Sequence, residues 1–259
     1  MFHRRAVLLS LLATKAMSAA VGPRADGEEA TITPGQYGTA SGGALDIAAK
    51  PTGPAEFVEN AQIASPPKYL TITVVNSQSA PVSTSHARNA GAPAPVSGNV
   101  GAGTIAAHAT AVFAVPTGWA GNVAVVPASH PISNDDSLIE ASFVKPSGYS
   151  VAVADVDISY VDGFSVPITC SCNGGVVTGC NKDLFSLHSC PNNDGKGACV
   201  NPKRADGSTT SATSFFAPCS GGAYTYPIDN KANSFGQCQS GRITCCIGTS
   251  CPKNPKQPN

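Results

Sequence analysis

Residues 151–170 read VAVADVDISYVDGFSVPITC, two apolar runs, Val151–Val161 and Phe164–Cys170, separated only by Asp162-Gly163. An Asp-Gly pair between apolar runs is the commonest two-residue hairpin signal, because both residues tolerate positive φ. Asp157 sits inside the first run between Val156 and Ile158, a strand position where carboxylates are depleted. The stretch therefore predicts an antiparallel hairpin that carries one carboxylate with no obvious structural purpose.

The pattern continues toward the N-terminus. Leu70, Ile72 and Val74 alternate with Thr71, Thr73 and Val75, which is a strand signature. Ala111–Val115 and Asn122–Val126 are further short runs, separated by a turn-rich stretch, residues 116–121, that holds the only tryptophan. Ser137–Val144 places Ile139, Ala141 and Phe143 on one face and Glu140 and Ser142 on the other. Strands this short and numerous, with no helical segments between them, predict a mostly β chain. The expected architecture is an antiparallel β-sandwich or flattened barrel over residues 67–172, and a parallel α/β sheet is excluded.

Residues 173–259 read differently. They are loop-rich and too poor in apolar residues to hold a core alone. Short helices are expected after Asn181 as N-cap, through Lys182–Phe185, and over Ser211–Phe216. All ten cysteines lie at or after position 170: Cys170, Cys172, Cys180, Cys190, Cys199, Cys219, Cys238, Cys245, Cys246 and Cys251. An even count crowded into one region predicts a disulfide framework of up to five bridges, with the pairing left open. Each bridge contributes roughly 2–4 kcal/mol by constraining the unfolded chain. The close pairs Cys170-Ser-Cys172 and Cys245-Cys246 do not have the spacing of zinc ligands, so no metal is expected.

The N-terminus carries a basic stretch, Met1–Arg5, then the apolar run Ala6–Ala13 and small residues at Ser18, Ala19 and Ala20. This predicts a signal peptide over residues 1–20 and a secreted protein, extracellular or in a cell wall, with no membrane span. Residues 21–66, rich in Gly, Pro, Ala and Thr, read as a disordered linker or processed segment. Charge is low and balanced, 16 basic against 16 acidic residues, which excludes the positive stripe of a nucleic-acid binder. No Asn-x-Ser/Thr sequon occurs, and no Gly-x-Ser-x-Gly elbow or phosphate-cradling glycine loop is present.

Three segments together resemble the thaumatin-like (osmotin-like) family of secreted proteins, in its fungal form. Asp157-Ile-Ser-Tyr-Val-Asp162-Gly-Phe-Ser-Val-Pro167 is similar to the family's D-V-S-x-V-D-G-F-N-x-P run. Phe216-Ala-Pro-Cys219-Ser-Gly-Gly-Ala223-Tyr224-Thr225-Tyr226-Pro-Ile-Asp229 resembles its F-x-x-x-C-P-x-A-Y-S-Y-x-x-D run, with small length differences around the cysteine. Leu138-Ile-Glu140-Ala-Ser-Phe143 resembles L-A-E-F. The resemblance spans about residues 67–251. It implies a sandwich with a disulfide-rich loop domain packed against it, together forming one domain, and β-1,3-glucan as partner, bound in an acidic cleft by a monomer needing no cofactor. It also implies weak endo-β-1,3-glucanase activity as an alternative, and a non-catalytic structural or effector protein on the same scaffold as a further one.

Carried over by motif, Glu140, Asp157 and Asp162 are the candidate catalytic carboxylates. Asp229, Tyr160, Phe164, Tyr224 and Tyr226 are the candidate substrate-binding residues. Glycoside hydrolysis uses two such carboxylates flanking the bond; binding alone uses carboxylates as acceptors for sugar hydroxyls and aromatic faces for the sugar's apolar side. The family's cleft arginine has no counterpart, since no arginine lies between Arg88 and Arg204. Each residue also has a structural alternative. Asp162 suits a hairpin turn, Glu140 a solvated strand face, Asp229 a turn, and Tyr224 with Tyr226 the packing of one strand face.

Overall fold

The computed structural model describes residues 67–98 and 101–259. The expected signal peptide and the linker lie outside the described residues. Two sheets face each other. One contains β1 (Tyr69–Asn76), β3 (Ser97–Gly98), β5 (Thr110–Pro116), β10 (Ile168–Cys172), β11 (Gly175–Cys180) and β13 (Arg242–Ile247), in the order β11-β10-β13-β1-β5-β3. The other contains β2 (Val82–Arg88), β4 (Gly103–Ile105), β6 (Trp119–Pro127), β7 (Ser137–Val144) and β8 (Val153–Ser159), in the order β4-β2-β6-β7-β8. All neighbours pair antiparallel except β1 with β13, which run parallel. The chain is thus mostly β, as its alternating patterns indicate.

Strand period explains the core. Leu70, Ile72 and Val74 of β1 point inward and are buried, while Thr71 and Thr73 remain partly open. They meet Val123 and Val125 of β6, Ile139 and Phe143 of β7, and Val156 and Ile158 of β8 in one continuous cluster. Fully burying one such side chain contributes about 1.5–3 kcal/mol, so these facing rows hold the sheets together.

The sandwich is not confined to residues 67–172. Strands β11 and β13 come from the cysteine-rich part, and β13 inserts beside β1 near the middle of its sheet. The same alternation gives the adjacent cysteines of β13 opposite faces. Cys245 turns inward to bond Cys170, its cross-strand partner on β10, while Cys246 turns outward to bond Cys251. Cys172–Cys238, Cys180–Cys219 and Cys190–Cys199 complete five bridges, and no described cysteine is free.

Asp162-Gly163 is not a hairpin. After β8 the chain leaves its sheet, and Gly163–Phe164 form a short strand, β9, paired with β12 (Cys199–Val200). It then enters the opposite sheet as β10. Every residue from Tyr160 to Cys170 is buried, which a hairpin tip could not be. Gly163 has no positive φ; it is glycine because a Cβ would sit 2.2 Å from the Asp135 carbonyl oxygen and 2.7 Å from that of Cys199.

The helices also depart from expectation. The single turn α1 (Leu184–Leu187) is capped by Asp183, whose Oδ1 accepts from the Phe185 N–H at 3.1 Å. Asn181 instead donates from Nδ2 to the Cys251 carbonyl at 2.8 Å, tying the C-terminal segment down. Residues 211–216 form no helix; a 3₁₀ turn follows at Ala217–Cys219. No helix among the described residues is long and apolar enough to cross a membrane.

Candidate functional site

The five-stranded sheet has a second face, turned away from the sandwich core. Antiparallel register sets Asn122, Glu140 and Asp157 in one row across β6, β7 and β8, with Ala120, Ser142 and Asp155 in the next. Glu140 and Asp157 are therefore direct cross-strand neighbours, and Asp155 shares their face two residues before Asp157. Asp162 joins from the segment after β8, close enough to Glu140 to raise its pKa.

The cysteine-rich part covers this face. Tyr224 docks on the end of β8 through two backbone bonds, its N–H to the Ile158 carbonyl and the Tyr160 N–H to its own carbonyl, both 2.8 Å. Ser234 donates its N–H to Asp157 Oδ1 at 3.0 Å and its hydroxyl to the Val156 carbonyl. Tyr224 and Ala232 pack with Ala120, Ala124 and Leu138 as a small apolar cluster beside the carboxylates. The four acids are consequently almost covered, from 2% exposed for Glu140 to 7% for Asp162.

Burial dominates the electrostatics. It pushes Glu140 well above the usual carboxylate range, and Asp162 and Asp155 push it further; the Ser159 hydroxyl beside it draws it partly back. Neither Glu140 oxygen has a partner in hydrogen-bond geometry. Burial raises Asp155 to about 7, against the Val156 N–H. Asp157 rises well above the normal range through burial and then Asp155, despite the Ser234 N–H and Lys256. Buried carboxyls crowded this way hold protons to higher pH, because the alternative is uncompensated like charge in a poorly solvated space. Lys256 is the cation beside Asp157, its Nζ also donating to the Asn233 carbonyl at 3.2 Å.

Glu140, Asp157 and Asp162, chosen by motif, thus meet on one face. Asp229 does not join them. Its Oδ2 accepts from Ser220 Oγ, Gly221 N and Thr225 Oγ1 at 3.1, 3.0 and 2.9 Å, which holds its own loop together. Most of the aromatic candidates are covered. Tyr160, Phe164 and Tyr224 are fully buried, so no sugar can lie on their rings as the chain stands. Tyr160 and Phe164 pack edge to face at 5.0 Å, and the Tyr160 hydroxyl donates to the Cys180 carbonyl and accepts from the Ile168 N–H. Only Tyr226 of the four is partly open.

Three residues at this face escaped the motif reading. Asp155 was legible as the i−2 neighbour of Asp157. Tyr149 and Phe235 were not: they come from loops 86 positions apart, yet pack edge to face at 6.2 Å beside the start of β8. Both are half-buried and offer aromatic surface at the rim of the acidic patch. No group of three or more His, Cys, Asp or Glu among the described residues is arranged to hold a metal ion. Compared with known proteins, the chain matches no family model and no curated sequence.

Proposed function

We propose that the chain is a secreted thaumatin-like protein that binds β-1,3-glucan of cell walls at the rim of the acidic sheet face. The observation that carries the reading is the meeting of Glu140, Asp157 and Asp162, three separate motif positions, on one face beneath the cysteine-rich segment. The motif order along the chain supports it, as do five disulfides, which belong to an oxidising compartment.

Binding is favoured over hydrolysis. A glycosidase needs an acid and a second carboxylate that both reach the scissile bond. Here Glu140 and Asp157 are 2% and 4% exposed beneath Tyr224 and Ser234. Contact with a glucan chain falls instead to the rim, where Tyr149 and Phe235 supply apolar faces and Lys256 supplies a donor.

The test is co-sedimentation of the mature protein with insoluble β-1,3-glucan. Depletion from the supernatant is expected, with affinity weakened about tenfold in Phe235→Ala, the loss of one aromatic contact. Protein that stays in the supernatant at all glucan concentrations contradicts the reading.

A further inference from the structure

A groove of about 360 Å³ opens where β6 ends, away from the acidic row. Pro127 and His130 form one side, Phe185 of α1 another, and Asn193, Gly195 and Gly197 of the loop closed by Cys190–Cys199 the third. Its volume lies at the lower end of the range of small-ligand sites, about 300–1,000 Å³.

Its chemistry is specific. No Lys, Arg, Asp or Glu lines it, so a charged ligand would find no counter-charge. Phe185 is 38% exposed, although Phe164 and Phe215 hold its ring in place from 5.5 and 5.6 Å. The ring is therefore held in one orientation by its neighbours while part of it faces the groove. Asn193 accepts from the Gly195 N–H through Oδ1 at 2.7 Å, which fixes the amide and leaves Nδ2 to donate. His130 is exposed and adds a ring that can donate and accept. Gly197, at φ +98°, is what lets this imidazole lie over the loop, since a Cβ there would come within 2.7 Å of the ring.

The walls are also held before any ligand arrives. Asp194 Oδ1 accepts from the Lys196 and Ala198 N–H groups at 2.7 and 2.9 Å, and its Oδ2 accepts from Ser133 Oγ at 3.1 Å. Together with the Cys190–Cys199 bridge, this removes most of the ordering cost that a loop pays on binding.

From the uncharged lining, the fixed and open Phe185 ring, and the Asn193 and His130 polar groups, we infer that this groove binds a neutral pyranose of a polysaccharide chain. The sugar's C–H face packs on Phe185, and its hydroxyls exchange hydrogen bonds with Asn193 and His130. The site is separate from the acidic face and does not depend on it.

The experiment is a titration of the ¹⁵N-labelled protein with short soluble β-1,3-gluco-, β-1,4-gluco-, manno- and chito-oligosaccharides, read by amide shifts. Saturating shifts at residues 128–130 and 193–197 are expected with at least one of these, weakened about tenfold in Phe185→Leu, which keeps apolar volume but removes the ring face. His130→Ala, at an exposed position, is expected to weaken the same shifts and serves if the Phe185 variant fails to fold. Absence of saturating shifts at these amides with all four sugars overturns the inference. Shifts at residues 155–157 and 233–235 report on the acidic face separately, so failure of one site does not count as failure of the other.

Discussion

Glu140 on β7 stands directly opposite Asp157 on β8, two carboxylates paired across an antiparallel ladder and both nearly excluded from water. Like charges in directly opposed positions destabilise a sheet. The arrangement persists because burial favours the protonated forms, and because the Ser234 N–H takes up one Asp157 oxygen.

Stability is therefore expected to fall as pH rises. Asp155 has a folded pKa raised from 3.8 to about 7, and Asp136, buried beside Ser133, is raised likewise. Between those values the folded state binds more protons than the unfolded one, so the stability they contribute is full below about pH 4 and lost by about pH 7. Buried His86, lowered to about 4, acts oppositely and costs stability as pH falls through 6.5 toward 4. The acids outnumber it. Thermal unfolding is expected to show a Tm about 5–10 °C lower at pH 7.5 than at pH 4.5; a Tm that rises over this interval would contradict the electrostatic account.

Glu140→Gln removes the ionisation while keeping the shape. The variant is expected to raise Tm at pH 7.5 by a few degrees and to change it little at pH 4.5, where the wild-type carboxyl is already neutral. Differential scanning calorimetry at the two pH values measures the difference. Equal effects at both would mean that packing, and not charge, governs the position.

Gly163→Ala tests the crossing between sheets. The added Cβ meets the Asp135 and Cys199 carbonyl oxygens at 2.2 and 2.7 Å, both backbone atoms that cannot rotate aside. A loss of about 2–3 kcal/mol is expected in urea unfolding. A neutral result would fit a solvent-exposed hairpin turn and not the buried crossing.

The bridges are expected to contribute unequally. Cys170–Cys245 closes a separation of 75 residues and Cys246–Cys251 one of 5. In the chain-entropy picture the first stabilises by about 4 kcal/mol and the second by about 2 kcal/mol. Paired Cys→Ala variants compared by denaturant unfolding check the ranking.

Much of the fold was legible because period-2 alternation records which face of a strand is buried, as in Leu70-Thr-Ile72-Thr-Val74 and Ile139-Glu-Ala141-Ser-Phe143. The same alternation put Glu140 on the face opposite the core. It could not say that this face is covered too, since Tyr224 and Ser234 arrive there from 64 or more residues farther along the chain. Asp162-Gly163 misled for a local reason: the pair suits a turn, but it lies in a segment apolar enough on both sides to be buried whole. The contribution of β13 to the first sheet was hidden as well. Its alternation, Ile243-Thr-Cys245, is short and sits inside a cysteine-rich stretch, and a parallel pairing with β1 leaves no turn signal between the partners. The Tyr149–Phe235 contact belongs to two loops, where no periodicity exists to report it.

The most direct test of the central claim is one incubation of the mature protein with soluble β-1,3-glucan, reading bound fraction and newly formed reducing ends together. The account expects binding that weakens when Tyr149 or Phe235 is changed to Ala, with no reducing-end release above the protein-free control. Release that disappears in Glu140→Gln would contradict it by making the covered carboxylates catalytic, and the absence of both binding and release would remove glucan as the partner of this face.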